Sequence, residues 1–226
     1  MIQHFEARQQ VLDACLRLAE RGFLVATGGN VSLRIGTNLL AVTPSGVDYY
    51  SMSPQDICVL RLDTLEVTEG DLKPSIECGL HATLLRFRTD AAAVIHTHQP
   101  IASAVALLSV PLSISDVGGR HSLGAVIEVV PYAPSGTWLL IRALKRRLKR
   151  DVNAYLLRNH GLICCGATMQ EAFANAEAAE RVAAHFLRNA IKQTGAPAEL
   201  AAFALEALQH AEDLQGRPLW PPWARR

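Results

Sequence analysis

The stretch AAAVIHTHQP, residues 91–100, carries two histidines at the end of an apolar run, with a proline directly after them. The short apolar run predicts a buried strand. Side chains two positions apart along a strand point to the same side of the sheet, so we expect His96 and His98 to lie next to each other. Two neighbouring imidazoles can bind one metal ion, although such a pair can also be one core residue and an incidental neighbour.

A third histidine has a similar setting further along the chain. In NAYLLRNHGLICCG, residues 153–166, His160 follows an apolar strand and lies at the turn before a second strand. A side chain at such a turn is exposed but rigidly held. Three histidines with an open fourth position are typical of a catalytic divalent-metal site. We therefore predict that His160 completes a metal site with His96 and His98.

Three clusters of glycines and hydroxyl residues are typical of anion binding. They are ATGGN at residues 26–30, TPSG at residues 43–46 and KPSIE at residues 73–77. Glycines let the backbone approach a ligand and aim its N–H groups at it. Ser75 is the predicted N-cap of a helix over residues 73–88, whose start favours an anion. Each cluster alone is more often a simple turn, but together with the histidines they indicate a phosphorylated substrate.

Glu77 is predicted to lie in the first turn of this helix. A carboxylate there either stabilises the helix dipole or acts as a general base beside the metal. The second role is chemically reasonable because a bound metal makes a neighbouring hydroxyl, or the carbon next to a carbonyl, more acidic. His81, four residues after Glu77, either shares the rim of the site or pairs with a neighbour, and the structural role is favoured.

The remaining pattern predicts a single α/β domain over residues 1–226 with helices outside the strands. Four further strands are predicted over residues 30–35, 39–44, 56–63 and 125–133, the first two as a hairpin. Five further helices are predicted over residues 11–19, 100–108, 138–149, 168–191 and 198–215. Residues 214–226, rich in proline and tryptophan, are predicted to be an irregular tail.

The composition narrows the function classes. The 226 residues carry a net charge of +1, so no strong field attracts nucleic acid or a membrane. Five cysteines without a CxxC motif indicate a reducing compartment, and Cys164 and Cys165 are interpreted as core residues of a strand. Residues 1–23 are charged throughout and lack the apolar core of a signal peptide. We expect a cytoplasmic protein.

The motifs TGGNVSLR, TPSG, KPSIE…H, HTH and NHGLI, in this order and spacing, resemble the class II aldolase/adducin family. Within that family the chain is most similar to the L-fuculose-1-phosphate aldolase branch, over about residues 11–187. The resemblance implies a three-layer α/β/α fold with a central, mainly antiparallel sheet. It also implies a cyclic homotetramer with active sites near the subunit interfaces, and zinc, or manganese in some members, as the metal.

The resemblance assigns roles residue by residue. His96, His98 and His160 match the three metal ligands, and Glu77 matches the catalytic acid/base. The positions that bind or adjoin the substrate phosphate are matched by Thr27, Gly29, Asn30, Ser45, Gly46 and Ser75. The implied reaction cleaves a small phosphorylated ketose to dihydroxyacetone phosphate and an aldehyde, through an enediolate whose charge the metal stabilises.

The chain departs from the aldolase pattern at three places. Ile76 stands where the family aldolase has a second phosphate-binding serine. The family's catalytic tyrosine belongs to the segment aligned with residues 113–124, which contains no tyrosine. Residues that could replace it are Asp116, Arg120 and His121. The C-terminal tail carries Trp220 and Trp223 where the family aldolase supplies a tyrosine to a neighbouring subunit.

These departures leave other activities of the family open. Relatives decarboxylate 3-oxo-tetronate phosphates, dehydrate methylthioribulose phosphate or epimerise ribulose phosphates at C4. The epimerases often carry aspartate at the position of Glu77, which favours the other three reactions. Adducin head domains are expected to be binding modules without catalysis, but the full set of histidines with Glu77 favours an enzyme.

Overall fold

The computed structural model describes residues 2–114 and 117–215, and within these ranges nine strands form one sheet. The strands are β1 Asn30–Ile35, β2 Leu39–Val42, β3 Cys58–Arg61, β4 Val67–Glu69, β5 Ala93–Thr97, β6 Leu112–Ser113, β7 Val126–Val130, β8 Ala154–Leu157 and β9 Gly161–Gly166. Their order is β4-β3-β2-β1-β5-β9-β8-β7-β6. Neighbouring strands are antiparallel except β7 and β8, so the predicted mainly antiparallel sheet is confirmed.

Helices cover both faces of the sheet. The helices are α1 Phe5–Glu20, α2 Cys78–Phe87, α3 Pro100–Leu108, α4 Val117–Leu123, α5 Trp138–Lys145, α6 Met169–Gln193 and α7 Ala198–Asp213, with a 3₁₀ turn at Pro54–Asp56. One core cluster joins α1, α3, α4, α6 and α7 to one face, and a second joins α2 and α5 to the other. The predicted three-layer α/β/α architecture is therefore confirmed.

The central strand β5 is buried along its whole length because both of its faces are covered. Ala93 and Ile95 belong to the core on the α6 side, whereas Val94 belongs to the core on the α2 side. By the same alternation His96 points to the α2 side. In β9, Cys164 and Cys165 are buried on opposite sides, so their interpretation as core residues is confirmed.

The short edge elements were not predicted. Strands β4 and β6 have three and two residues, and the α4 segment is rich in glycine and polar residues, so none shows a clear hydrophobic period. The predicted hairpin of β1 and β2 is confirmed, with a turn that includes Gly36 at positive φ. The helix predicted over residues 138–149 ends at Lys145.

The prediction of Ser75 as a helix N-cap is wrong. Helix α2 begins at Cys78, and Glu77 occupies the N-cap position rather than the first turn. The reason is a long-range contact: the Ser75 N–H donates to the Thr43 carbonyl oxygen at 3.0 Å, which holds the segment alongside the end of β2. A turn then intervenes, with the Cys78 N–H bonded to the Ser75 carbonyl oxygen.

Some of the predicted features lie outside the described residues. These are Asp116 and, within the tail, Trp220 and Trp223. The helices that the structure does describe include none with the length and apolar character needed to cross a membrane.

Candidate active site

The three histidines predicted as metal ligands come together where β5 ends and β9 begins. The antiparallel register pairs Thr97 with Leu162, so the turn that carries His160 lies beside the end of β5. His96 belongs to β5, whereas His98 lies one residue beyond it. Nε2 of His96 is 3.0 Å from Nε2 of His98 and 3.2 Å from Nε2 of His160.

The protonation of His96 suits a metal ligand. Its ring is fully buried, and Nδ1 lies 2.8 Å from the Leu162 carbonyl oxygen, which can only accept a hydrogen bond. Nδ1 is therefore the protonated nitrogen, and Nε2 keeps a free lone pair. Burial lowers the pKa of His96 to about 3, and it lowers the pKa of His98 as well. Neutral imidazoles are the form that binds metal.

The cluster fits a divalent metal ion. Its ligand atoms all lie within 4.8 Å of one another. Three nitrogen lone pairs aimed at one point repel each other unless a cation lies between them. A tetrahedral ion with bonds of about 2.1 Å separates its ligand atoms by about 3.4 Å. The distances of 3.0 and 3.2 Å from Nε2 of His96 to the other two nitrogens are close to this value.

Glycines make room for the rings. A Cβ atom at Gly28 would lie 2.9 Å from Nδ1 of His98, and one at Gly161 would lie 2.9 Å from Cδ2 of the same ring. Gly28 belongs to the glycine loop, residues 26–30. Tyr49 holds this loop in place, because its hydroxyl donates to the Gly29 carbonyl oxygen at 2.7 Å. The backbone around the histidine cluster therefore has no space for side chains at these two positions.

Glu77 places both carboxylate oxygens beside the cluster. Its Oε2 is 3.3 Å from Nε2 of His96, and its Oε1 is 3.4 Å from Nε2 of His160. The side chain is almost fully buried, and two donors hold it. The Asn30 amide donates to Oε2 at 2.8 Å, and the Ser135 hydroxyl donates to Oε1 at 2.7 Å.

These contacts keep Glu77 ionised. Burial by itself raises the pKa of this carboxyl, but the hydrogen bonds donated by Asn30 and Ser135 oppose it, and the pKa lies below its usual value. A carboxylate that accepts two hydrogen bonds is held in its charged form. Glu77 can therefore accept a proton from a group bound at the histidine cluster.

The segments predicted to bind phosphate lie side by side. The Ser45 N–H donates to the Lys73 carbonyl oxygen at 2.8 Å, and the Ser75 N–H donates to the Thr43 carbonyl oxygen at 3.0 Å. Thr27, Ser45 and Gly46 are exposed and free to meet a ligand. Asn30 differs, because its side chain is buried and its amide contacts Glu77.

The structure also gives the contacts of Ile76 and Arg120, two residues connected with the departures from the aldolase pattern. Ile76 is 65% exposed and lies against Gly136, whose added Cβ would come within 3.0 Å of the Ile76 side chain. The Arg120 guanidinium donates to the Ile114 carbonyl oxygen. Across residues 2–114 and 117–215, no hydrogen bond or ion pair joins Arg120 or His121 to the histidine cluster.

Ser135 is the site residue that the sequence analysis missed. It lies in the loop between β7 and α5, in the sequence PSG at residues 134–136. The same three letters occur at residues 44–46, directly after β2, where they were recognised. The repeated PSG after a strand was the signal that could have pointed to Ser135.

A family profile agrees with this geometry. The profile described as "Class II Aldolase and Adducin N-terminal domain" matches residues 9–187. The chain belongs to the class II aldolase/adducin family. As a member of this family it is an enzyme of the lyase class, because its similar curated relatives are aldolases.

Two curated relatives and one solved structure are similar to this chain over most of its length. A Bacillus thuringiensis protein, 5-deoxy-D-ribulose 1-phosphate aldolase, is 35% identical over 76% of this chain and 80% of its own. A Rhodospirillum rubrum protein, 5-methylthioribulose-1-phosphate/5-deoxyribulose-1-phosphate aldolase, is 33% identical over 80% of each chain. A solved L-fuculose 1-phosphate aldolase superposes with a TM-score of 0.76 at 28% identity, covering 92% of this chain and 98% of the other chain.

Proposed function

We propose that this class II aldolase cleaves a small ketose 1-phosphate into dihydroxyacetone phosphate and an aldehyde, and that it depends on a divalent metal. The observation that carries the proposal is the position of Glu77. An ionised, buried carboxylate lies 3.3 and 3.4 Å from two of three converging histidine nitrogens. The relatives that act on ketose 1-phosphates support the substrate class.

His96, His98 and His160 are proposed to hold the metal. Three imidazole nitrogens with an open fourth position suit Zn²⁺, with Mn²⁺ as the alternative. When bound there, a divalent ion supplies Lewis-acid stabilisation of negative charge on a substrate oxygen. The chain's own contribution is to keep His96 and His98 neutral, because burial lowers the pKa of each, and to fix the tautomer of His96 through the Leu162 carbonyl.

Glu77 is proposed as the catalytic acid/base at C3 of the dihydroxyacetone phosphate fragment. In the cleavage direction it returns a proton to this carbon, and in the condensation direction it removes one. The ionised state that its contacts maintain is the one needed for removal. Its burial keeps bulk water away from the proton that moves.

The phosphate is proposed to bind at the exposed loops around the cluster. Thr27 and Gly29 come from the loop before β1, Ser45 and Gly46 from the loop after β2, and Ser75 from the turn before α2. The exposed hydroxyls of Thr27 and Ser45 suit an anion, whereas Ser75 is buried and its hydroxyl accepts a hydrogen bond from the Glu77 N–H. Asn30 keeps one amide hydrogen for the phosphate, because only one of its two hydrogens is needed by Glu77.

We also propose a cytoplasmic homotetramer with sites near its subunit interfaces. This rests on the family, and on large exposed apolar side chains such as Phe203, Leu107 and Trp138. Exposed apolar surface of this kind is often covered by another subunit.

The test measures release of dihydroxyacetone phosphate from 5-deoxy-D-ribulose 1-phosphate and from L-fuculose 1-phosphate. Metal-depleted protein should be inactive, and Zn²⁺ or Mn²⁺ should restore cleavage of at least one substrate. Metal-loaded, folded protein that releases no dihydroxyacetone phosphate from either would contradict the proposal. A non-catalytic binding module would be inactive and would also take up no metal.

Decarboxylation or dehydration is the second candidate, because residues 113–124 contain no counterpart of the aldolases' catalytic tyrosine and Ile76 replaces a serine. The exposed isoleucine provides no hydroxyl for a phosphate where the aldolases have a serine. The same protein samples should therefore be offered a 3-oxo-tetronate 4-phosphate and methylthioribulose 1-phosphate. Release of carbon dioxide from the first compound, which leaves dihydroxyacetone phosphate as the other product, or loss of water from the second would replace aldol cleavage, provided that neither ketose 1-phosphate is cleaved.

A further inference from the structure

His81 is a fully buried histidine that the proposed reaction does not use directly. It lies in α2, between that helix and β1, and both of its ring nitrogens have partners. Nδ1 is 2.7 Å from the Ser32 hydroxyl oxygen, and Nε2 is 2.5 Å from the Asn30 side-chain oxygen. Asn30 and Ser32 are two apart in β1, so they reach the ring from the same face of the sheet.

The hydrogen bonds form one continuous row that ends at Glu77. The Asn30 amide nitrogen lies 2.8 Å from Oε2 of Glu77, and its oxygen faces His81. A carboxylate accepts hydrogen bonds and cannot donate them when ionised. The Asn30 nitrogen must therefore face Glu77, and the Asn30 oxygen must receive a hydrogen from His81.

This requirement fixes the proton on the His81 ring. Nε2 carries the hydrogen and donates to Asn30, and Nδ1 accepts from the Ser32 hydroxyl. The ring carries only one proton, because burial lowers the pKa of His81 to about 4. All donors in the row Ser32, His81, Asn30 thus point towards Glu77.

We infer that His81 is a positioning residue, which sets the orientation of the Asn30 amide and through it the place of the Glu77 carboxylate. Without the Nε2–H donor, the Asn30 oxygen would be buried and unpaired, and the amide could rotate. Rotation would direct the oxygen at the carboxylate and repel it. The inference deepens the proposed function and rests on it for the effect on catalysis.

The first test measures the tautomer of His81 by NMR and does not require an active enzyme. Long-range ¹H–¹⁵N correlation spectra of the full-length protein report which ring nitrogen of each histidine is protonated. The His81 signal, assigned by its loss in His81→Gln, should show the Nε2–H tautomer at neutral pH. An Nδ1–H tautomer would reverse the row of donors and overturn the inference.

The second test separates positioning from folding. In His81→Leu we expect kcat to fall by about 10- to 100-fold with KM changed less than about threefold, because a displaced catalytic group costs rate rather than binding. His81→Gln should recover most of the rate, since its amide can donate to Asn30. Metal content should stay equal to that of the wild type in both variants.

The matched control is Leu84→Ala, which removes a fully buried side chain of the same helix on the α2 side of the core. It should lower thermal stability and leave kcat close to the wild-type value. If His81→Leu keeps wild-type kcat, or if Leu84→Ala loses as much kcat as His81→Leu, the inference is overturned. If His81→Leu does not fold, His81→Gln and the tautomer decide.

Failure of the proposed function gives a different result. Wild-type protein that cleaves no ketose phosphate would contradict the aldolase proposal, whereas the tautomer of His81 would still test the row of hydrogen bonds. In that case a crystal structure of His81→Leu would be decisive. A rotated Asn30 amide with a displaced Glu77 supports the inference, and an unchanged pair overturns it.

Discussion

The histidine cluster and the Ser135 loop contact the same carboxylate, but the two regions are built differently. His96 lies in the central strand β5, fully buried, with its ring fixed by the Leu162 carbonyl. Ser135 lies in an exposed loop between β7 and α5 and reaches Glu77 with a single hydroxyl. The histidine cluster is held by the sheet. Ser135 is held by a loop, whose sequence can change without disturbing the core.

This difference leads us to expect different effects from substitutions in the two regions. The histidine cluster lies at the ends of the central strands β5 and β9, where a substitution disturbs packing on both faces of the sheet. The loop side carries one of the three departures, since Ile76 lies against Gly136, next to Ser135. The comparison predicts that variants of the cluster lose the metal, and that variants of the loop change rate or substrate binding only.

The largest effect is expected for His160→Ala. The side chain lies at a turn and is partly exposed, so the variant should fold. We expect it to lose its bound metal and to lose activity by about 10³-fold or more, because several kcal/mol of charge stabilisation go with the metal. Elemental analysis and a cleavage assay measure this, with the exposed His185→Ala as control. Full metal content in His160→Ala would show that His160 is not a metal ligand.

Gly28→Ala should have the next largest effect. The added Cβ would lie 2.9 Å from Nδ1 of His98 and would push the ring out of place. We expect metal affinity to fall by about tenfold, as when a ligand loses its support. Competition with a chelator measures the affinity, and thermal unfolding of the metal-free protein serves as control. Unchanged affinity would mean that the glycine loop does not shape the cluster.

Ser135→Ala tests the loop directly. The variant removes one of the two donors to Glu77, and we expect kcat to fall by about 3- to 10-fold, equivalent to about 1 kcal/mol. Metal content and KM should stay the same. Ser51→Ala, which removes an exposed hydroxyl elsewhere, is the control. A loss of metal in Ser135→Ala would show that the two regions are not separate.

Ile76→Ser should have the smallest effect. It restores a hydroxyl at the position where the aldolases bind phosphate, on a side chain that is already exposed. We expect KM for a ketose 1-phosphate to fall by about two- to fivefold, since one hydrogen bond adds about 1 kcal/mol at most here. Steady-state kinetics measure it. A KM that rises instead would place the phosphate elsewhere.

The sequence was sufficient where structure follows from short-range periodicity. Alternation along β5 and the turn before β9 were enough to predict that His96, His98 and His160 meet. The three-layer fold followed from the resemblance, and the hairpin of β1 and β2 from the alternation of its strands.

The sequence was not sufficient where a long-range contact decides the local structure. Ser75 looked like a helix cap, but its bond to Thr43 displaces the start of α2 to Cys78. Ser135 reaches Glu77 only because the β7–α5 loop folds over the start of α2. His81 was expected to be structural, and its link to Glu77 through Asn30 emerges only from three-dimensional packing.

The most direct measurement of the central claim is solvent exchange at C3 of dihydroxyacetone phosphate. Metal-loaded wild-type protein and Glu77→Gln are incubated with this phosphate in deuterated water, and the C3 proton signal is followed by NMR. We predict exchange in the wild type, and a rate lower by about 10²- to 10⁴-fold in Glu77→Gln with its metal retained. Equal exchange in both proteins would contradict the role of Glu77, and no exchange in metal-loaded wild type would contradict the aldolase account.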